Sequence, residues 1–398
     1  MALIASIIAL LSSTADGFAR NRGMFLIVVS KAQQSLVVYD GDTVVATSAV
    51  STGKAGHETP TGIFSILEKR RRHASNIYSN SPMPFMQRLT WSGIALHGSK
   101  HVPSYPASHG CVRLPDGFAA ALYKMTKPGA HVLISDRQIS PSEVEGAVLF
   151  RKPRTSVQQV IGKVEGAPVE VAMVESMVPG VAKQMTSVHE PIRILITRHE
   201  ARDTVREVQV ALRLLGYGPG ALDGYAGPAT VAALRVFQVR EGLESDGKLT
   251  PALSAMILLK AGRTPPSNGK ILVRQGFRPL FEAFATIERP QEALGTHFLQ
   301  FRLHGQESVG GKWFGVSLQN DLLASTKKGL GILSEADPAA FDGIQRTLSR
   351  ITVSNDIRER IESLLSEGSS LSIADADDGL ETGQGTDFIT LTRSRSED

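Results

Sequence analysis

Cys111 is the only cysteine among 398 residues, and this removes two ways of holding a chain together. No intrachain disulfide can form and no multi-cysteine metal site can be built. Each folded unit must therefore be held by its own buried core, and a chain of this length normally divides into two or three such units. A hydrophobic content of 42% and a charged content of 21% describe a globular composition. The net charge of +4 is spread thinly, with no basic face carrying interleaved aromatics, so nucleic acid is not indicated as a partner.

Ala2 to Leu11 is a short apolar run followed by Ser12-Ser13-Thr14-Ala15. That suits the apolar segment and small-residue cleavage site of a signal peptide, although the positive start is missing. The run is too short for a spanning helix of about 20 residues. Residues 1–20 are read as a signal peptide, which implies export to the periplasm or cell envelope. A buried N-terminal helix is the bland alternative.

Residues 24–136 are mostly β in pattern. Phe25-Leu26-Ile27-Val28-Val29 predicts a strand, and Asp40-Gly41-Asp42 predicts a hairpin between two more. Thr59-Pro60-Thr61-Gly62 is a turn before Ile63–Leu67, and Gly93–His97 is another strand. Pro115 to Lys127 predicts a helix stopped by Pro128-Gly129. Residues 140–200 lack a sustained period and read as a linker. Residues 202–262 predict three helices. The first has capping-box spacing at Thr204 and Glu207, the second runs over Pro228–Glu241 with Leu234 and Phe237 inward, and the third opens at Thr250-Pro251 and runs through Leu253, Met256 and Ile257. Residues 270–398 form a third, β-rich region with a weak echo of the first. Ile271–Leu299 can be laid over Leu26–Ile66, and Gly368–Asp375 resembles Gly129–Asp136, without a second cysteine. Coincidence in β-type sequence is the plain alternative to a degenerate repeat. The expected fold class is multidomain α+β: a β-rich domain, a small three-helix domain and a β-rich C-terminal region.

Cys111 sits in Ser108-His109-Gly110-Cys111-Val112-Arg113-Leu114, fourteen positions after His97. A buried cysteine is usually a small hydrophobe. An exported protein that keeps one unpaired thiol risks its oxidation, and catalysis is a reason to keep it. Imidazole can activate a thiol, so His97 is the favoured base and later acid, with His109 as the other candidate. The Gly110 and Cys111 amides are natural oxyanion donors, each worth roughly 2.7–4 kcal/mol by analogy with measured ones. Ser108, with His109 and Gly110, is expected to support catalysis and the oxyanion site from the same loop. Arg113 can grip a substrate carboxylate or be a solvated surface residue. Lys69-Arg70-Arg71-Arg72-His73 is a basic run that usually marks a solvated face. His97, His101 and His109 cluster without acidic partners at zinc spacing.

These residues resemble the catalytic domain of the L,D-transpeptidase, or YkuD-like, family. The family's His-Gly and Ser/Thr-His-Gly-Cys elements match His97-Gly98 and Ser108-His109-Gly110-Cys111, and Ser51-Thr52-Gly53 and Thr59-Pro60-Thr61-Gly62 match two more. Two departures stand out: a short interval from His97 to Cys111, which implies a small lid, and Arg113 where some members carry asparagine. Residues 202–260 resemble the three-helix peptidoglycan-binding domain through Leu215-Gly216-Tyr217, Leu222-Asp223-Gly224, Phe237-Gln238 and Asp246-Gly247. The resemblance implies that Cys111 attacks the third-residue carbonyl of a peptidoglycan stem peptide, expels a D-amino acid and passes the acyl group to an amine. The amine can belong to another stem, an envelope protein or a free D-amino acid. No cofactor is implied. The alternatives are an L,D-carboxypeptidase, with water as acceptor, and a noncatalytic wall-tethering protein.

Overall fold

A strand that is apolar at every position, like Phe25–Val29, offers both faces for burial. A computed structural model of the chain describes residues 25–75, 80–146, 148–152, 190–265, 267–303, 310–340, 342–376 and 385–392. The expected signal peptide lies outside them, as do residues 153–189 of the expected linker. β1 (Leu26–Ser30) is buried throughout. It pairs with β2 (Ser35–Asp40), which turns into β3 (Thr43–Ala49). β4 (Gly62–Ser65) follows, and then β5 (Glu68–Arg70), β6 (Met86–Arg88), β7 (Ala95–Ser99) and β8 (Val112–Pro115) form a separate small sheet. α1 (Asp116–Met125) leads to β9 (His131–Ser135), which lies parallel to β1 and antiparallel to β4.

Alternation along β1 separates its two faces. Phe25, Ile27 and Val29 join the core formed with Leu96, Val112 and Leu114 of the small sheet and with Ala119 and Leu122 of α1. Leu26 and Val28 share a second core with Ile63, Leu133, Phe298, Val316 and Leu318. The last three belong to the C-terminal unit.

That unit begins earlier than its sequence suggested. β10 (Ser142–Glu143) and the buried Val144, Leu149 and Phe150 already belong to it. β11 (Ile192–Arg198), inside the expected linker, is its central strand. Ile192, Ile194 and Ile196 fill the core from one face of β11. α2 (Ala201–Leu214), α3 (Pro228–Arg240) and α4 (Pro251–Lys260) come next and have their own core of Val208, Leu212, Leu234, Phe237, Leu253 and Ile257. Glu200 and Asp203 form the capping box of α2, so the helix starts ahead of the Thr204–Glu207 pair. Met256 faces outward. Thr250 caps α4 as expected, accepting from the Leu253 amide at 3.2 Å.

The chain then returns through β12 (Gly269–Gln275), β13 (Arg278–Ile287), β14 (Thr296–Leu303) and β15 (Gly311–Leu318). After α5 (Ala324–Leu330) and α6 (Gly343–Ser349) come β16 (Ile351–Thr352), α7 (Asn355–Leu364) and β17 (Ser370–Ile373). β18 (Thr390–Leu391) crosses back to pair with β4. Among the described residues no helix is long and apolar enough to cross a membrane.

The two large sheets share an order. The first contains β4-β9-β1-β2-β3 and the second β14-β17-β11-β12-β13. Their pairings match in sense and register. Val29 pairs with Leu36 and Ile134, Leu36 with Ser48, and Ile134 with Gly62. Ile196 pairs with Ile271 and Ile373, Ile271 with Ala283, and Ile373 with His297. Ile271 is therefore the counterpart of Leu36, not of Leu26. The overlay of Gly368–Asp375 on Gly129–Asp136 has the register of the strands. Where β1 and β2 are joined by the turn at 31–34, β11 and β12 are joined by the whole three-helix unit. Ser51 bridges Arg113, and its counterpart Thr286 pairs with Thr352. Two residues before Arg113 is Cys111, and two before Thr352 is Arg350. The buried Arg350 guanidinium donates to the carbonyls of Glu288, Arg289, Glu292 and Ala293. Its hydrogen-bonding capacity is directed into its own loop.

The C-terminal segment ties the units together. Thr392 donates its amide to Thr61 O at 3.1 Å and its hydroxyl to Thr61 Oγ1 at 2.7 Å. Arg193 is held by Asp387, Gly368 O and Gly129 O, reaching across both units. Gly62 has φ +153°, and a Cβ there would lie 2.2 Å from Thr390 O. Gly62→Ala should therefore detach β18. Limited proteolysis with mass spectrometry should then cut within 385–392 first, and a wild-type cleavage pattern would contradict this. His297, the counterpart of Gly62, is buried between Ser317 Oγ and Leu294 O, each at 2.9 Å. Burial pulls its pKa from 6.5 to about 4. The unfolded chain binds this proton first as pH falls, so the contribution is complete above about 6.5 and lost toward about 4. The loss is about 3 kcal/mol at 1.36 kcal/mol per pKa unit. His297→Gln should flatten urea-unfolding stability across that window.

Candidate active site

β7 and β8 run parallel, with Leu96 opposite Val112 and His97 opposite Arg113. Leu96, Val112 and Leu114 go into the core, so alternation turns His97, Arg113 and the residue just before β8, Cys111, to the other face. All three line one cleft of about 510 Å³. Met83, Pro84, Ser108 and His109 also line the cleft. His97 Nδ1 donates to Gly98 O at 2.8 Å, which fixes the tautomer and leaves Nε2 as a proton acceptor. Cys111 Sγ donates to Gly93 O at 3.4 Å.

The nucleophile loop is held by Thr52 and Thr59, which the sequence offered only as motif residues, and by Gln34, which it did not single out. Thr59 Oγ1 accepts from the Gly53 amide at 2.8 Å and donates to Gly110 O at 2.7 Å. Thr52 O takes the amides of Ala107 and Ser108, while Gln34 holds Thr52 through both its amide and its hydroxyl. Ser108 Oγ donates to Cys111 O and accepts from the Gly110 amide at 3.2 Å. The Gly110 amide, expected to face a reacting oxygen, is thus engaged within the loop. His109 is exposed, with its ring edge-on to His57 at 4.8 Å between centroids. Arg113 is half-buried, and its backbone is bridged to Ser51. Asp116, near the start of the helix predicted over Pro115–Lys127, also lines the cleft.

Burial raises the Cys111 thiol pKa, against the Ala95 amide and the positive charges of Arg88 and Arg113. Burial also lowers that of His97, helped by Arg113 and His73 and opposed by Gly98 O and Asp116. Both shifts favour a neutral resting pair, thiol and imidazole, so the proton moves when the sulfur attacks. The basic run is structural in part: Lys69 Nζ reaches Tyr123 O and Thr126 O at the end of α1, and Glu68 binds both Arg70 and Arg88. Met83 and Met86 pack beside Cys111, and Trp91 is exposed with Arg88 over its ring. Among the described residues no group of three or more His, Cys, Asp or Glu side chains is placed to hold a metal ion.

Residues 24–134 match the family model of the L,D-transpeptidase catalytic domain. Residues 201–257 match that of the putative peptidoglycan-binding domain. The first match covers the unit of β1 to β9, and the second covers the helical insertion. Among solved structures, the chain is similar to the L,D-transpeptidase of Xylanimonas cellulosilytica at 28% identity, covering 29% of this chain and 62% of that one, with a TM-score of 0.26. It is similar to that of Stackebrandtia nassauensis at 27% identity, covering 29% and 56%, with a TM-score of 0.27. The L,D-transpeptidase of Mycobacterium smegmatis shares 23% identity, over 28% and 58%, with a TM-score of 0.27. The chain thus spans less than two thirds of these proteins. No curated protein matches it.

The neutral pair of Cys111 and His97 has a direct consequence. The pH profile of Cys111 alkylation by iodoacetamide should have its midpoint above the ordinary cysteine value of about 8.5. Intact-mass kinetics would measure it, and a midpoint below neutrality would show a preformed thiolate instead.

Proposed function

We propose that this protein is a peptidoglycan L,D-transpeptidase acting in the cell envelope. The placement of Cys111, His97 and Arg113 on one face of one cleft carries the reading. In the reaction, Cys111 Sγ attacks the carbonyl of the third residue of a tetrapeptide stem while its proton passes to His97 Nε2. The tetrahedral intermediate collapses as His97 returns a proton to the departing amine of the terminal D-amino acid. A thioester remains on Cys111. An amine then attacks it, giving a 3–3 cross-link, an anchored envelope protein or an exchanged D-amino acid. Arg113 is proposed to take a substrate carboxylate. The similarity of residues 201–257 to peptidoglycan-binding domains supports a polymeric wall substrate. The C-terminal unit is proposed to be a noncatalytic repeat of the catalytic fold, with Arg350 where the first copy has Cys111.

The proposed activity can be assayed with tetrapeptide muropeptides, supplied with and without an acceptor amine. Wild type should form cross-linked or amine-exchanged product and a thioester visible by intact mass. Cys111→Ala should form neither while still sedimenting with sacculi. Tripeptide alone, with acceptor present, would favour the L,D-carboxypeptidase, and no adduct on wild type would favour a noncatalytic tether.

A further inference from the structure

Asp116 is the first residue of α1, whose N-cap is Pro115. It lines the cleft together with His97, Cys111 and Arg113. Its Oδ1 is shut off from solvent and has no hydrogen-bond partner among the described residues. A buried carboxylate oxygen without a partner is costly, and such costs are retained mainly where charge is used. The position of the carboxylate is tightly defined. A Cβ placed on Gly98 would lie 2.6 Å from Asp116 Oδ1, so the glycine lets the carboxylate approach this backbone. The Gly98 carbonyl is the one that orients the His97 ring.

We infer that Asp116 is a positioning residue for His97, its carboxylate packed on Gly98 to favour the imidazolium formed when the Cys111 thiol proton is transferred. The inference deepens the proposed transpeptidase reading and rests on it for the reaction. The proton leaves Sγ as the sulfur–carbon bond forms and resides on His97 Nε2. It is handed to the leaving amine as the carbon–nitrogen bond breaks. Between those events His97 is a cation in a buried site. Arg113 from β8 and His73 from the segment after β5 oppose that cation, and Asp116 from α1 favours it. Lys100, His101 and His109 line the same cleft and add no negative charge. Among the residues lining this cleft, Asp116 is the acidic one.

The test is a histidine NMR titration of the full chain, with the His97 resonance assigned by its loss in His97→Gln. In Asp116→Asn the His97 pKa should fall by about one unit, a tenfold change in proton affinity. The acid limb of the pH profile for acylation by a tetrapeptide stem should move down with it, and the plateau rate should fall by about tenfold. Asp116→Glu should recover part of both. Asp116→Ser, which removes the charge but suits a helix start, should behave like Asp116→Asn and replaces it if that variant does not fold. An unchanged His97 titration would overturn the inference, as would a slower rate with an unmoved acid limb. If wild type is not acylated at all, the transpeptidase reading fails, and the titration still decides the role of Asp116.

Discussion

Leu26 and Val28 are buried in a core that two units share. They point away from the small sheet and α1, and Phe298, Val316 and Leu318 of the second sheet join Tyr39, Ile63 and Leu133 around them. Fully burying one such side chain stabilises by about 1.5–3 kcal/mol, so this sheet-on-sheet contact is a substantial share of the marginal stability of either unit. The same contact imposes a buried His131, whose ring lies edge-on to Phe298 at 4.7 Å and which desolvation holds in the neutral state. β18 completes the arrangement by covering the edge of β4, which would otherwise present unpaired backbone to solvent.

From that contact a continuous set of hydrogen bonds leads to the chemistry. Thr392 binds Thr61, β4 begins one residue later, and two residues earlier Thr59 binds Gly110 O beside Cys111. The Thr-Pro-Thr-Gly turn is therefore shared, with one end facing the C-terminal segment and the other the nucleophile loop. Its residue types follow from this. Two threonines supply hydroxyls to opposite neighbours, and the glycine leaves room for the incoming strand.

The parts legible in the sequence were those whose signal is local. The lone thiol in its polar loop, the strand that carries His97, the helix after Pro115 and the three-helix unit each show within a short window, although that strand runs on to Ser99 instead of ending at His97. The fold class followed from them, and the comparisons with known families agree with it. What escaped notice was spread along the chain. β11 has a clear isoleucine alternation, yet its hairpin partner β12 lies beyond a whole domain, so no nearby turn announces the pair. The same insertion displaced the sequence overlay by making Ile271 look like the start of a repeat rather than its second strand. Thr59 and Asp116 act through contacts with residues far away or on another element, and spacing alone does not reveal such contacts. Arg350 was not singled out because only the strand register makes it the counterpart of Cys111.

Insertion into a hairpin changes what the helical unit can do mechanically. A module joined by one flexible linker explores a sphere whose radius follows linker length. This one leaves the sheet from β11 and returns to it at β12, two adjacent strands, so both of its ends are clamped side by side. Lys270 on β12 and Asp203 on α2 add a salt bridge at 3.1 Å across the junction. The module therefore behaves as a bracket rather than a tether. A polymer held by it would meet the Cys111 cleft at a spacing set by the protein's own dimensions, much as a jig sets the distance between clamp and tool.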